Sequence, residues 1–176
     1  VPVLIGAITT LHLSQLLHTW GHHSVIVCQP QSALYQRAQE AQVPVQALRM
    51  RHELDVVAAW QLGQYMRRQR VDILHMHAPH AHSIGLLASV WAPAVHKVVS
   101  RRTDVAPIRN VLSGWKYTLP RVHYVAVSEA VRQVLIASGV PAHRVQTIYS
   151  SIDLRRFDET QEVAPLFPTG TRVVGT

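Results

Sequence analysis

An α/β fold, with a parallel sheet covered by helices on both faces, is predicted by three observations. Short β-branched apolar runs recur along the chain, stretches of helical period separate them, and glycine or proline punctuates the joins. Such alternation implies parallel pairing, because strands joined through a helical crossover run the same way. The expected strands are 23–28 (HSVIVC), 43–48 (VPVQAL), 71–77 (VDILHMH), 96–101 (HKVVSR), 123–128 (HYVAVS) and 144–149 (RVQTIY). They are apolar toward both faces, as strands buried between two helical layers should be.

The helices follow from period and caps. One is expected near residues 9–20 and stops at Gly21. In a second, Leu54, Ala58, Leu62 and Met66 repeat every four residues, and Arg67, Arg68 and Arg70 gather at the C-terminal end, where the macrodipole favours cations. The third has the clearest boundaries. Ser128 can N-cap it, Glu129 sits in its first turn, and Val131, Val134, Leu135 and Ser138 mark one face. Gly139 can then take the left-handed position after the last turn, and Pro141 prevents continuation.

Composition narrows the class. A chain of 176 residues with 48% hydrophobic content suits one core and one domain. The single cysteine, Cys28, argues against a disulfide scaffold and fits a reducing compartment. The longest apolar run, residues 84–95, contains a proline and falls short of the roughly 20 residues a bilayer requires, so a soluble protein is expected. Seventeen basic residues against ten acidic ones leave a formal charge of +7, which attracts anions such as nucleotide phosphates and anionic lipid head groups. With 6% aromatics there is little for bases to stack on, and nucleic acid is not an expected partner.

The stretch DILHMHAPHAHS, residues 72–83, carries His75, His77, His80 and His82. Alternation along a strand puts His75 and His77 on one face, and the strand must end where Ala78 precedes Pro79. A metal site would need several ligands converging on one point, and neither C-x2-C nor H-E-x-x-H occurs. Histidines at the mouth of a substrate cleft are the favoured reading; a metal-dependent protein and a histidine-rich strand end without chemistry stay open. In parallel α/β sheets ligands bind at the carboxyl ends of strands. There the His77–His82 turn, the Arg101–Asp104 turn and the Ser128 helix start would share one rim. No G-x-S-x-G elbow, no G-x-x-x-x-G-K-[ST] loop and no G-x-G-x-x-G fingerprint is present, and the ten acidic residues lie mostly singly. A rim of imidazoles and guanidiniums suits hydroxyls and phosphates.

Five segments in order, GAITTLHLSQLLHTWGHHSVIV, VDILHMHAPHAHSIGLLAS, VVSRRTD, WKY and YVAVSEAVRQVLIASGVPAHRVQTIYSSIDLRRF, span Gly6 to Phe157. Together they resemble the N-terminal Rossmann-like domain of retaining GT-B glycosyltransferases of family 4, nearest to bacterial enzymes of lipopolysaccharide and related glycan synthesis. The resemblance implies residues 1–157 as an acceptor-side domain, 158–171 as an interdomain linker, and 172–176 as the first strand of a C-terminal half that binds the nucleotide-sugar. It implies a nucleotide-sugar as co-substrate with no further cofactor, and a glycan or glycolipid acceptor. It also implies a cytoplasmic location with peripheral contact to the anionic inner membrane, and little turnover by this half alone.

The resemblance sets Gly6 in a loop near the donor diphosphate, and His77, His80, Arg101, Arg102, Ser128 and Glu129 along the acceptor or donor cleft, with no catalytic base assigned. Of the neighbours Arg101 and Arg102, alternation sends one into the cleft, where a guanidinium would suit a phosphate. Lys116 and Tyr117 belong to the family pattern and read as packing and surface charge. The sequence departs from that pattern in three places. Ile5 replaces one glycine of a pair, Arg101 and Arg102 stand at the end of a strand that often finishes in histidine, and Ser150-Ser151-Ile152-Asp153 lacks the hinge glycine. A non-catalytic domain that binds anionic glycans or membrane surfaces is the alternative from another class.

Overall fold

The computed structural model describes residues 2–103, 117, 119 and 121–150, with backbone alone for residues 2–6. The elements in chain order are α1 (Pro2–Thr19), β1 (Ile26–Cys28), α2 (Ala33–Glu40), β2 (Val45–Ala47), α3 (Val56–Arg68), β3 (Ile73–Met76), α4 (Pro79–Ala88), β4 (His96–Arg101), β5 (Val122–Ala126), α5 (Glu129–Ala137), a 3-10 turn (Ala142–Arg144) and β6 (Val145–Thr147). All six expected strands are present and all pair in parallel. Helices flank them, and the fold is α/β and Rossmann-like.

The single expected sheet is divided. β1 pairs with β2, while β3, β4, β5 and β6 form a separate four-stranded sheet in that order. Side chains connect the two. Val27 of β1 and Leu48, just beyond β2, pack with Leu62, Met66, Ile84 and Ala88 of α3 and α4. A second cluster places Val131 and Leu135 of α5 with Met76, Val99 and Tyr124 of the larger sheet. Leu135 is fully buried, a burial that stabilises by about 1.5–3 kcal/mol.

Helix ends follow local chemistry. Gly21 and Gly139 take positive φ after α1 and α5, as their positions in the sequence predict. Ser128 caps α5, its side chain accepting from the Val131 N–H at 3.2 Å. α3 is capped by Asp55, whose carboxylate accepts from Ala58 N at 3.0 Å and Arg51 N at 3.0 Å. The helix therefore starts after Leu54, which is 53% exposed, while Ala58, Leu62 and Met66 face the core as expected. α1 begins at Pro2 instead of near residue 9, with proline where a missing N–H costs nothing. Gly6 thus lies inside a helix and not in a loop. Residues 3–5, VLI, carry no turn chemistry, and one glycine costs a helix only about 1 kcal/mol.

Two features position the rim. β3, β4 and β5 run side by side, with Met76 opposite Val99 and Arg101 opposite Ala126, so their carboxyl ends open to the same side. Helix α3 holds α4 closely, because Gly63 leaves no side chain between them: a Cβ there would meet Trp91 Cβ at 2.8 Å and the Ala88 carbonyl oxygen at 2.9 Å.

Candidate functional site

A cleft of about 110 Å³ opens at the carboxyl ends of β3 and β4, lined by His77, Ala78, Pro79, His82, Val99, Ser100, Arg101, Arg102, Thr103, Tyr117 and Tyr124. The His77 and Arg101/Arg102 turns, 25 residues apart in sequence, meet here as the parallel-sheet argument requires.

β3 and the residue just beyond it deliver two imidazoles in contact. His75 and His77 share a face, their ring centroids 4.0 Å apart and tilted by 34°. His75 Nε2 lies 2.8 Å from Ser100 Oγ on β4, and His77 Nδ1 lies 3.4 Å from Arg102 Nη2. Burial first, then the Arg102 charge, holds His75 down to about 4. Burial, then His75 and Arg102, holds His77 down to about 3. Both rings are therefore neutral at ordinary pH.

The arginines divide their work. Arg101 Nε donates to the Thr103 carbonyl at 3.2 Å and Arg101 Nη1 to the Tyr117 hydroxyl at 3.3 Å. That phenol titrates above its ordinary value chiefly through burial, with Arg101 pulling down and Glu53 pushing up. Arg102 reaches His77, while its buried Nε has no hydrogen-bond partner among the described residues. Alternation predicts that only one of the pair enters the cleft, yet both line it. The reason is local: β4 ends at Arg101, so the period of two stops before Arg102.

Other expected residues lie elsewhere. His80 is exposed on the first turn of α4 and does not line the cleft. Once Pro79 starts the helix, each residue turns by about 100°, which carries His80 outward and brings His82 and Ser83 to the buried side. Ser128 serves as the α5 cap. The Glu129 carboxylate accepts from Gln133 at 2.7 Å, Arg132 at 2.9 Å and Thr147 at 3.1 Å, bonds that lower its pKa. Neither Ser128 nor Glu129 lines the cleft. Asp104, Lys116, the Ser151–Asp153 hinge, the linker and the final strand lie outside the described residues.

Sequence reasoning put His82 in the rim turn without choosing it as a cleft residue, read Tyr117 as packing, and did not name Ser100 or Tyr124. The ring of His82, 3% exposed, meets Tyr117 edge-on at 5.3 Å and Tyr124 at 6.0 Å. Helical spacing from Pro79 could have turned His82 inward. Nothing in the spacing of Tyr117 could have tied its hydroxyl to Arg101. Among the described residues no group of three or more His, Cys, Asp or Glu converges on a point, and no helix is long and apolar enough to cross a membrane.

Known structures share this fold. HepE of Anabaena, in complex with UDP and glucose, superposes with a TM-score of 0.67 at 14% identity, over 85% of this chain and 42% of that one. HepE in complex with UDP-glucose gives 0.68 at 14% identity, over 85% and 41%. A glycosyltransferase from Rickettsia africae gives 0.67 at 17% identity, over 91% and 42%. The chain thus spans about two fifths of the length of these structures. Among curated proteins none matches it significantly. The family model for Glycosyltransferase Family 4 matches residues 6–156, most of the chain. With the parallel sheet and the cleft at its carboxyl rim, that match identifies the chain as the N-terminal GT-B domain of a member of glycosyltransferase family 4.

Proposed function

We propose that this chain is the acceptor-side half of a retaining glycosyltransferase that moves a sugar from a nucleotide-sugar to a glycan or glycolipid in lipopolysaccharide or other cell-surface polysaccharide synthesis. The observation that carries the reading is the cleft in which His77, Arg101, Arg102 and Tyr117 meet at the carboxyl ends of a parallel sheet. UDP and UDP-glucose in the HepE structures support a nucleotide-sugar as donor. The formal charge of +7 suits a cytoplasmic enzyme working beside an anionic membrane on an anionic acceptor.

Chemically, the reading is a front-face substitution in which the departing diphosphate helps deprotonate the acceptor hydroxyl, and no protein base is required. The cleft residues orient the reactants and stabilise developing charge, and the neutral imidazole of His77 suits hydrogen bonding better than proton abstraction. The test is transfer by the full-length protein from radiolabelled nucleotide-sugars to a crude glycolipid extract. His77→Ala, and Arg101→Ala with Arg102→Ala, are expected to lose on the order of 10²-fold in turnover with the fold intact by circular dichroism. Wild-type turnover in both variants would remove the cleft from the reaction.

A further inference from the structure

Among the described residues, few groups hold the guanidinium of Arg102. Its hydrogen bond to His77 Nδ1, at 3.4 Å, is long, its Nε is buried without a partner, and no carboxylate pairs with it among the described residues. Burial lowers its pKa, the mark of a cation partly stripped of water. Glu129, by contrast, satisfies the cation of Arg132 directly. No carboxylate appears among the described residues that line the cleft. A desolvated cation without a counter-charge beside a cavity is stabilised by an anionic ligand.

Arg102 also dictates the state of its neighbour. A guanidinium can only donate, so Nδ1 of His77 must accept, and in a neutral ring the proton then sits on Nε2. The far side of the imidazole is therefore a donor. His75, anchored on Ser100 at 2.8 Å and packed at a tilt against His77 with centroids 4.0 Å apart, restrains that ring; His75 and Ser100 are positioning residues. We propose that His77 and Arg102 form a tautomer-locked donor pair that binds an oxyanion of the substrate, a phosphate or carboxylate, in preference to a neutral sugar hydroxyl. The pair offers N–H groups alone, which match a group that only accepts. This rests on the glycosyltransferase reading for the identity of the substrate, and on the geometry for its charge.

The test is NMR of the full-length protein labelled with 15N-histidine, the His77 resonances being assigned from the His77→Gln spectrum. Expected are an unprotonated Nδ1 and a protonated Nε2 on His77, and saturable shifts of that Nε2 on titration with inorganic phosphate but not with methyl α-glucoside. Arg102→Gln should weaken phosphate by about tenfold or more, as loss of a charged hydrogen-bonding partner does. His77→Gln, whose amide nitrogen falls near Nε2, should retain binding that His77→Asn loses.

A protonated Nδ1 in the wild type, equal response to glucoside and phosphate, or unchanged phosphate affinity in Arg102→Gln would each overturn the proposal. Saturating nucleoside diphosphate separates the sources: expulsion of phosphate assigns the site to the donor, and simultaneous binding assigns it to the acceptor. Sugar transfer with failure of these tests would sink the donor pair alone. An intact donor pair with no transfer from any nucleotide-sugar would sink the transferase reading.

Discussion

Gly63→Ala is expected to destabilise the chain by up to about 2 kcal/mol, although alanine is the better helix former. The added Cβ would lie 2.8 Å from Trp91 Cβ and 2.9 Å from the Ala88 carbonyl oxygen. Neither atom can swing away, since both move only with the backbone of α4 and the turn beyond it. Overpacking of this kind costs about 1–3 kcal/mol, and relief of the glycine entropy returns about 1 kcal/mol. Urea unfolding measures the difference as a lowered midpoint at unchanged slope, and a thermal scan as a Tm lowered by up to about 8 °C. Gly21→Ala is the control. Its Cβ meets nothing within 4 Å, but its φ of +80° is strained for alanine and costs about 1 kcal/mol. If Gly63→Ala instead raised stability by about 1 kcal/mol, as in an exposed helix, the close approach of α3 and α4 would be refuted.

Acid should weaken the fold through the β3 histidines. The unfolded chain takes up protons near pH 6.5 that native His75 and His77, held to about 4 and about 3, refuse. Their stabilisation is complete above pH 6.5 and is lost as pH falls toward those values. The urea midpoint should accordingly drop between about pH 7.5 and about pH 5, with less drop in His77→Gln; a pH-independent midpoint in the wild type would contradict the burial argument. Ser128→Ala removes the α5 cap and should cost about 1 kcal/mol, read by the same unfolding assay. In full-length turnover assays His80→Ala should match wild type, because His80 is exposed outside the cleft; a loss like that of His77→Ala would move the site outward.

The strands, several helix ends and the rim follow from local sequence. Gly21, Gly139 and Ser128 act within a few residues of their own position, and the periods of two and 3.6 are local, so β3, β4 and α5 could be read without any distant partner. What local period cannot carry is the meeting of residues across turns. His80 and His82 look equivalent in PHAHS until the start of α4 at Pro79 turns one outward and buries the other. Alternation failed for Arg101 and Arg102 because β4 stops between them. Gly6 reads as a loop residue until Pro2 opens a helix through it. Tertiary structure alone set Ser100 on His75, Tyr117 on Arg101 and Arg102 on His77, contacts between residues 16 to 25 positions apart. Such contacts depend on which strands lie side by side and where each one ends, and pairing in a parallel sheet is a property of the whole chain.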